Sequence, residues 1–372
     1  MSTLADCLAV LDGLYDPATA EPWDAVGLVV GDPDDRRAVV HRVLVAVDPV
    51  PAVGAEAVGS GVDLLLTHHP LFLRPVHGVP STTVGGRLVA DLVRAGCALH
   101  VAHTNADVAS PGVSDALLAV LGVGPGEVLR PGAPLPLDAL AVHVPAAGRE
   151  RLLAALHAAG AGRLGDYDRT GWWVAGTGTF RPLPGAQPAV GVVGSVETVG
   201  EERLELLLPR ASRPAVLRAL RAAHPYEEPS FQLWPLEIPA PTGLGRVGSL
   251  PVETTLGEFT ALVAGVLPAT AAGVRASGPS SRPVRRVAVC GGSGGDLAGA
   301  AAAVGADVLV TADLRHHTAL EAPLPVVDVA HWASEWPWCA DVAARLGAAL
   351  PDVTVDVSTR VTDPWELHCA SA

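Results

Sequence analysis

Short apolar runs alternate with stretches of helical periodicity along the first 125 residues of the chain. Near-continuous apolar runs are typical of strands buried on both faces of a sheet, and they occur at 39–47, 64–67 and 97–102. Apolar residues with helical spacing fill the intervals at 51–60, 84–95 and 113–121. This alternation predicts a parallel α/β sheet whose faces are covered by helices.

The pattern changes between about residues 124 and 241, where proline-rich joints at 131–136 and 237–243 bracket a separate block. Strands are predicted in this block at 140–144, 172–177, 203–208 and 230–236, and helices at 149–159 and 214–223. The resulting βαββαβ order is typical of a small ferredoxin-like domain. Beyond it the α/β pattern resumes, with strands near 287–290, 308–311, 326–329 and 353–357 and a helix at about 332–346.

The two outer segments resemble each other. VHRVLVAVD from Val40 matches VRRVAVCGG from Val284, and GVDLLLTHH from Gly61 matches GADVLVTAD from Gly305 at the same offset of 244 residues. One strand later, HVAHTNAD matches DVAHWASE. Two related halves explain this repeat, although two βα units that converge by chance explain it as well. We therefore predict an α/β fold in which two pseudo-symmetric halves form one domain (1–125 plus 243–372), interrupted by an inserted ferredoxin-like α+β domain (126–242).

Charge, cysteine content and hydropathy limit the classes of binding partner and the cellular compartment that the sequence fits. A formal net charge of -14 argues against nucleic acid, because neutralising phosphates requires a basic face. The five cysteines are scattered and lack CxxC spacing, which argues against a disulfide framework and fits a reducing cytosol. The longest uncharged stretch, 259–274, is too short to span a bilayer, and the N-terminus carries acids where a signal peptide needs bases. We predict a cytoplasmic protein that binds a small-molecule substrate or ligand and no membrane.

Histidines and carboxylates follow the predicted strands of both halves. His68 and His69 end the run GVDLLLTHHP, where Pro70 breaks the strand and lets consecutive imidazoles share one site. Each half also carries a histidine followed four residues later by an acid, which places both on one face of a helical turn. These pairs are His103 with Asp107, and His331 with Glu335.

Four imidazoles and two carboxylates in one crevice would suit two divalent ions. Such a set without thiolates fits Zn, Fe, Mn, Co or Ni better than Ca or Cu(I). Two carboxylates buried together would also repel each other unless cations or protons were present. For any single histidine, a structural or surface role is the simpler explanation. Six residues at paired strand ends favour a dinuclear metal centre.

Seven motifs carry a resemblance to a known family over nearly the whole chain. They are AEPWDAVGL, GVDLLLTHHPLF, HTNAD, HPYEEP, VAVCGGSGGD, TADLRHH and HWASE. The sequence resembles the dinuclear-metal-centre family named GTP cyclohydrolase 1 type 2 homologues, also called NIF-three-like proteins. The resemblance implies that two metal ions are bound by His68, His69, Asp107, His331 and Glu335, with His103 as a further ligand or a support for one. It also implies a toroidal homohexamer and an inserted domain related to small trimeric signalling folds.

The chain departs from the family pattern at two positions. WDNVGL is WDAVGL here, so Ala25 lacks an amide, and TGD is TAD, with Ala312 in place of glycine. Neither change removes an implied ligand. The implied activity is divalent-metal-dependent hydrolysis of a nucleotide or related small molecule. The alternative is a non-catalytic, metal-binding regulatory or metal-handling assembly.

Four other features leave two interpretations open. The loop GGSGGD at 291–296 is either a phosphate cradle or a tight turn, and HPYEEP at 224–229 is either a third metal site or a rigid turn. Asp313, Arg315 and His317 either line the pocket and hold an anionic substrate or cap the following helix. The tryptophans beside Glu335 are expected to pack in the core or against another subunit; they are Trp332, Trp336 and Trp338.

Overall fold

The computed structural model describes residues 1–35 and 39–369. The chain forms two compact units, one comprising Met1–Gly132 and Pro241–Ala372, and the other comprising Ala133–Ala240. The predicted division at 125/126 differs from the observed one, because a strand at Glu127–Pro131 pairs within the first unit. The α/β fold class is confirmed.

Among the residues that the structure describes, the N-terminal part of the first unit contains five α-helices and five strands. The helices are α1 (Leu4–Leu14), α2 (Pro51–Gly59), α3 (Val84–Ala95), α4 (Thr104–Val108) and α5 (Val113–Val120). The strands are β1 (Gly27–Val30), β2 (Arg42–Ala46), β3 (Leu64–Thr67), β4 (Ala98–Val101) and β5 (Glu127–Pro131). Local chemistry sets the helix ends: Thr3 and Asp6 form a capping box at the start of α1, and α3 ends at the left-handed Gly96.

The second unit has the element order that its sequence pattern predicts. It contains β6 (Leu137–Val144), α6 (Arg149–Ala158), β7 (Trp172–Phe180), β8 (Glu197–Pro209), α7 (Arg213–Ala223) and β9 (Phe231–Pro235). The four strands form one antiparallel sheet in the order β7-β8-β6-β9. Leucines and valines on one face of the sheet pack against α6 and α7. Assignment of this unit to the ferredoxin-like class stays a prediction.

The C-terminal part, as far as residue 369, completes the first unit with six strands and four α-helices. The strands are β10 (Gly243–Thr255), β11 (Arg275–Ala276), β12 (Pro283–Val289), β13 (Val308–Ala312), β14 (Val326–Val329) and β15 (Thr354–Val357). The helices are α8 (Leu256–Val266), α9 (Ala298–Ala303), α10 (His316–Leu320) and α11 (His331–Ala349). None of the helices described has the length and apolar character needed to cross a lipid bilayer.

The strands of the first unit form two sheets. One has the order β1-β4-β3-β2-β15 and the other the order β11-β14-β13-β12-β10-β5. The central strands are parallel, as predicted, but β1, β5, β10 and β11 add antiparallel neighbours at or near the edges. Each half of the unit is thus a mixed sheet built on a parallel centre.

The internal repeat is visible in the strand register. Val43 lies opposite Leu64 in the first sheet, and Val287 lies opposite Val308 in the second, both shifted by the same 244 residues. The repeated aspartates also make the same contacts. Asp63 Oδ2 accepts hydrogen bonds from the backbone N–H groups of residues 41 and 42, and Asp307 Oδ2 accepts them from residues 285 and 286. The recurring residues therefore tie equivalent strand starts in place.

Helix α11 joins the core to the strand ends. Trp338 is fully buried, Trp332 is nearly so, and both belong to the core cluster of the first sheet. The indole N–H of Trp338 donates a hydrogen bond of 3.0 Å to the hydroxyl of Tyr15. This bond satisfies the only polar atom of the buried tryptophan side chain. Trp332 and Trp338 therefore pack in the core, one of the two expected placements, and the partly buried Trp336 packs against the same cluster. Their packing fixes the start of α11, where His331 and Glu335 lie.

His100 on β4 is a buried histidine outside the strand ends, and its Nδ1 has no hydrogen-bond partner. Burial lowers the pKa of its imidazole to about 4. The unfolded chain binds a proton near pH 6.5 and the folded chain does not, so stability falls as the pH drops through that region. We expect the metal-free wild type to lose about 2 kcal/mol more between pH 7 and pH 5 than His100→Leu does.

Urea unfolding at several pH values measures this difference. The exposed His77 provides the matched control, and His77→Leu should retain the acid sensitivity of the wild type. Equal pH slopes for wild type and His100→Leu would show that His100 does not limit acid stability.

Candidate metal centre

Four histidine side chains meet at the carboxyl ends of three strands of the first unit. His68 and His69 follow β3, His103 follows β4, and His331 begins α11 after β14. The ring centroids lie 5.1 Å apart for His68 and His69, 5.2 Å for His68 and His103, and 5.2 Å for His69 and His331. Both halves thus deliver imidazoles to one place.

Each of these imidazoles is held from outside the cluster through its Nδ1 atom. The partners are the Ala102 carbonyl for His68 (2.9 Å), Asp48 for His69 (2.7 Å), Asp24 for His103 (2.8 Å) and Asp313 for His331 (2.6 Å). A hydrogen bond to Nδ1 fixes the ring and leaves Nε2 as the nitrogen available to a metal. Four histidines in this one arrangement are typical of metal ligands supported by a second layer of acceptors.

Two carboxylates complete the cluster. Glu335 Oε1 lies 2.9 Å from His331 Nε2 and 3.5 Å from His68 Nε2, and Glu335 Oε2 lies 3.1 Å from His69 Nε2. Asp107 Oδ1 lies 3.7 Å from His68 Nε2. The predicted pairing therefore holds for His331 with Glu335, whereas Asp107 approaches His68 and not the histidine four residues before it. Glu335 is the acid that reaches imidazoles from both halves.

The donor set meets the requirements of a metal site. His68 Nε2 and Glu335 Oε2 are buried, and although His69 Nε2 lies 3.1 Å from Glu335 Oε2, no neighbouring atom of the described residues is in hydrogen-bonding geometry with either, which is costly unless another group satisfies them. Two groups of donor atoms lie close enough to hold an ion, namely His68 with His69 and His103, and His69 with His331 and Glu335. The residues present therefore fit the divalent metals that imidazole and carboxylate prefer.

The pKa values of the cluster residues also indicate a site for cations. Burial disfavours a charged Glu335, yet His69 and His68 hold the pKa of its carboxyl well below the usual range. Burial would likewise lower the pKa of His69, but the Glu335 carboxylate raises it to about 10. On Asp107 burial prevails and raises the pKa to about 6. Positive charge is thus required beside Glu335, whether as protons on the imidazoles or as cations.

One side of the cluster opens into a cavity of about 620 Å³. His69, His103 and His331 line it, whereas His68 is fully buried beneath them, 5.3 Å from the ring of Trp338. A small molecule that enters this cavity meets the histidines directly.

Of the three residues proposed to line the pocket, one does so. Asp313 faces the cavity and holds His331, and its left-handed backbone (φ 56°) turns the chain sharply after β13. Arg315 and His317 do not line the cavity, because that turn leads into α10, where both side chains are exposed. Their interpretation as pocket residues is therefore corrected.

The loop at 291–296 behaves as a tight turn. The backbone N–H of Gly292 donates to Ser334 Oγ (2.8 Å), and that of Gly294 donates to Thr311 Oγ1 (2.8 Å), so these amides are already used within the protein. A Cβ on Gly292 would lie 2.5 Å from Glu335 Oε1 and 3.0 Å from His331 Nε2. The glycine thus allows the backbone to approach the metal cluster, and the phosphate-cradle interpretation gains no support.

We expect Gly292→Ala to weaken metal binding about tenfold, because the new methyl group displaces Glu335 and His331. The left-handed backbone (φ +63°) adds a destabilisation of about 1–2 kcal/mol. Gly305→Ala is the matched control, since Gly305 has a similar φ of +73° with nothing near its Cβ position. Metal titration and thermal unfolding separate the two effects. Equal metal affinity in both variants would contradict the assigned contact.

The segment HPYEEP is part of a turn in the second unit. His224 Nε2 donates to the His143 carbonyl (2.8 Å), and its Nδ1 accepts from the backbone N–H of Tyr226 (3.0 Å). Both ring nitrogens are therefore used structurally. None of the candidate metal groups found in the described residues includes His224, Glu227 or Glu228. The rigid-turn interpretation is favoured.

Sequence reasoning missed Asp24 and Asp48, the acceptors behind His103 and His69. Asp24 also accepts from the backbone N–H and hydroxyl of Thr104, which anchors the start of α4. A signal was present: Asp48 follows the end of β2 just as the histidines follow β3, and Asp24 lies in the AEPWDAVGL motif. An acidic residue that follows a buried strand is placed at the same end of the sheet as such a histidine, so it is an equally good candidate for the site.

Comparison with known proteins places the chain among relatives along nearly its whole length. The family described as Duf34/NIF3 (NGG1p interacting factor 3) matches residues 2–364. A Mycobacterium tuberculosis protein named "GTP cyclohydrolase 1 type 2 homolog" is 50% identical over 376 residues, covering 98% of this chain and 97% of its own. A Bacillus subtilis protein of the same name is 40% identical over 322 residues, covering 86% and 85%.

Solved structures share the fold. A Bacillus cereus protein related to NIF3 has a TM-score of 0.71 at 33% identity and covers 97% of each chain. A Staphylococcus aureus protein has a TM-score of 0.83 at 26% identity and covers 98% of each chain. The arrangement of strands that positions the histidines is therefore found in experimentally determined structures.

Proposed function

The chain belongs to the Duf34/NIF3 family, and from that premise we propose that it is a hydrolase that depends on two divalent metal ions per chain. Its substrate is a nucleotide or a related small molecule. The names of the curated relatives, which refer to GTP cyclohydrolase, support a nucleotide as the first compound to test.

One observation carries the proposal. All four imidazoles are anchored through Nδ1, while His68 Nε2 and Glu335 Oε2 are buried without hydrogen-bond partners in the centre of the cluster. A purely structural histidine cluster would satisfy those atoms within the protein. Divalent metal ions held by these residues would satisfy both atoms and would also neutralise the Glu335 carboxylate.

The residues divide between two ions. His68 and His103, with Asp107 beside His68, would hold one ion, and His331 would hold the other. His69 and Glu335 lie between the two sets, since His69 belongs to both donor groups and Glu335 approaches His68, His69 and His331. Zn, Fe, Mn, Co and Ni all suit these donors.

The chain itself provides binding and orientation. Two divalent ions held by these residues would lower the pKa of a nearby water and stabilise developing negative charge. The acceptors Asp24, Asp48 and Asp313 keep the imidazoles fixed, which preserves this geometry during turnover. The open side of the cavity admits substrate, while Trp338 and the buried His68 exclude water from the other side.

A hydrolysis assay on metal-replete protein tests the proposal. GTP and a panel of nucleotides are offered to wild type, to chelator-treated protein and to His68→Ala. We expect turnover that falls by roughly hundredfold or more in both the chelator-treated protein and His68→Ala, because the chelator removes the metal ions and the substitution removes one of their ligands. Two bound ions with no turnover dependent on His68 would instead favour the non-catalytic, metal-binding regulatory assembly.

We also propose that the chain acts as a homo-oligomer, with a hexamer as the expected state. Leu73 and Trp365 line the cavity and are 47% and 69% exposed, and apolar surface of this kind is typical of contacts with other proteins. Light scattering on the full chain measures the assembly directly. A mass of six chains supports the hexamer, and a monomeric mass contradicts it.

A further inference from the structure

A second cavity of about 690 Å³ lies next to the cavity of the metal centre. Its walls are mostly apolar, with leucines and prolines of the segments around α10 and β14, among them Leu314, Leu320, Leu324 and Pro325. A concave apolar surface with a few charged groups is the usual form of a small-molecule site. Neither the candidate metal ligands nor the acceptors that hold them line this cavity.

Arg275 and Asp328 line both cavities and therefore form the boundary between them. Arg275 lies on the short edge strand β11, and its Nε and Nη2 atoms lie 2.8 Å and 2.5 Å from Asp328 Oδ2. Its Nη1 atom donates no hydrogen bond to the described part of the chain. The side chain is 75% exposed, so a guanidinium edge remains free at the boundary.

The charges around this boundary are uneven. Four carboxylates and a single arginine line the metal cavity, namely Asp48, Asp313, Asp328, Asp363 and Arg275. In the second cavity Arg275 and Arg282 are opposed by Asp328 alone. In a chain of net charge -14, this is a locally basic surface beside the metal centre. It attracts an anion to the boundary, where Arg275 lies between the second cavity and the acidic metal cavity.

We infer that Arg275 holds the anionic group of an organic phosphate whose apolar body occupies the second cavity. A guanidinium donates charge-assisted hydrogen bonds to phosphate oxygens, and its planar fork matches their geometry. The anionic end of the ligand then lies at the boundary, where it faces the metal cavity that His331 and His69 line. This inference rests on the proposed function for the reaction, but binding at Arg275 does not require the metals.

Equilibrium binding of a nucleotide to the chelator-treated full-length protein therefore tests the role of Arg275 separately from the hydrolysis. The probe is guanosine 5′-monophosphate, compared with guanosine, which lacks the anion, and with inorganic phosphate, which lacks the body. Calorimetry should show binding of the nucleotide that is about tenfold or more tighter than that of either part. Arg275→Met, which keeps the length of the side chain but not its charge, should lose that advantage.

Arg285→Met is the matched control, because Arg285 is exposed, lies close in sequence and lines neither cavity. Asp328→Asn removes the carboxylate that competes for Arg275 while keeping an acceptor for the Leu314 N–H, so it should strengthen binding several-fold. If the ion pair between Arg275 and Asp328 had only a structural role, Asp328→Asn would weaken nucleotide binding instead of strengthening it.

The results separate this inference from the proposed function. Binding that depends on Arg275 in a protein without hydrolytic activity leaves the inference standing and removes the hydrolase. Arg275→Met that binds as tightly as Arg285→Met overturns the inference, as does a wild type that binds the nucleotide no more tightly than guanosine. Neither of those two results affects the metal centre.

Discussion

Glu335→Gln should lower the affinity for both metal ions by roughly hundredfold or more. The carboxylate of Glu335 approaches His68, His69 and His331, so both donor groups depend on its charge. A neutral amide of the same shape keeps the packing but cannot balance two divalent ions. Metal content after dialysis against a defined free-metal concentration measures the loss.

The control for this experiment lies on the same helix. Asp341→Asn removes one charge from α11 at a partly exposed position paired with Arg345, outside the cluster. It should retain the wild-type metal content, and circular dichroism should show that both variants are folded. A Glu335→Gln protein that still holds two ions per chain would remove Glu335 from the ligand set.

Arg246→Met should destabilise the first unit by about 3–5 kcal/mol, because it removes the buried guanidinium that pairs with the partly buried carboxylate of Asp115 and satisfies three backbone carbonyls. Arg246 is 1% exposed and lies on β10. Its guanidinium contacts both carboxylate oxygens of Asp115 at 2.9 and 2.8 Å, and it donates to the carbonyls of Gly243, Gly245 and Ala109. These contacts join α5 of the first half to β10 of the second.

Hydrogen exchange of the α5 amides in increasing urea reports the stability of that region. Arg246→Lys, which keeps the charge but loses the fork, should fall between wild type and Arg246→Met. The exposed Arg94 serves as the control, and Arg94→Met should change stability by less than about 0.5 kcal/mol. A loss below about 1 kcal/mol for Arg246→Met would mean that the two halves are held together mainly by apolar packing.

The parallel centre of each sheet was predictable from the chain because its strands are buried on both faces. The runs at 64–67 and 326–329 became β3 and β14 with the predicted bounds. Strand β10 was missed, since its sequence GLGRVGSLPVETT mixes glycine, proline and charge. Pairing with β12 and β5 forms this strand, and its register is interrupted between Ser249 and Thr254. Because β10 is stabilised by pairing with residues distant in the chain, its own sequence does not show the apolar pattern of a strand.

The candidate site divides in the same way. Residues that follow buried strands, such as His68, His69 and His331, were found because the end of a strand is visible in sequence. The approach of Asp107 to His68 was not predicted, because it depends on how α4 packs beside β3. The exposure of Arg315 and His317 follows from the backbone turn at Asp313, and an aspartate at positive φ carries no clear sequence signature. Arg246 was overlooked because nothing local indicates that an arginine is buried.

Crystallography of metal-replete protein with anomalous scattering tests the central claim most directly. We predict two anomalous peaks per chain in the cluster, about 3.5–4 Å apart. Each should lie about 2.0–2.2 Å from histidine Nε2 and carboxylate oxygen atoms, with Glu335 adjacent to both. Fewer than about one ion per chain, or peaks away from His68, His69 and His331, would contradict a dinuclear metal centre.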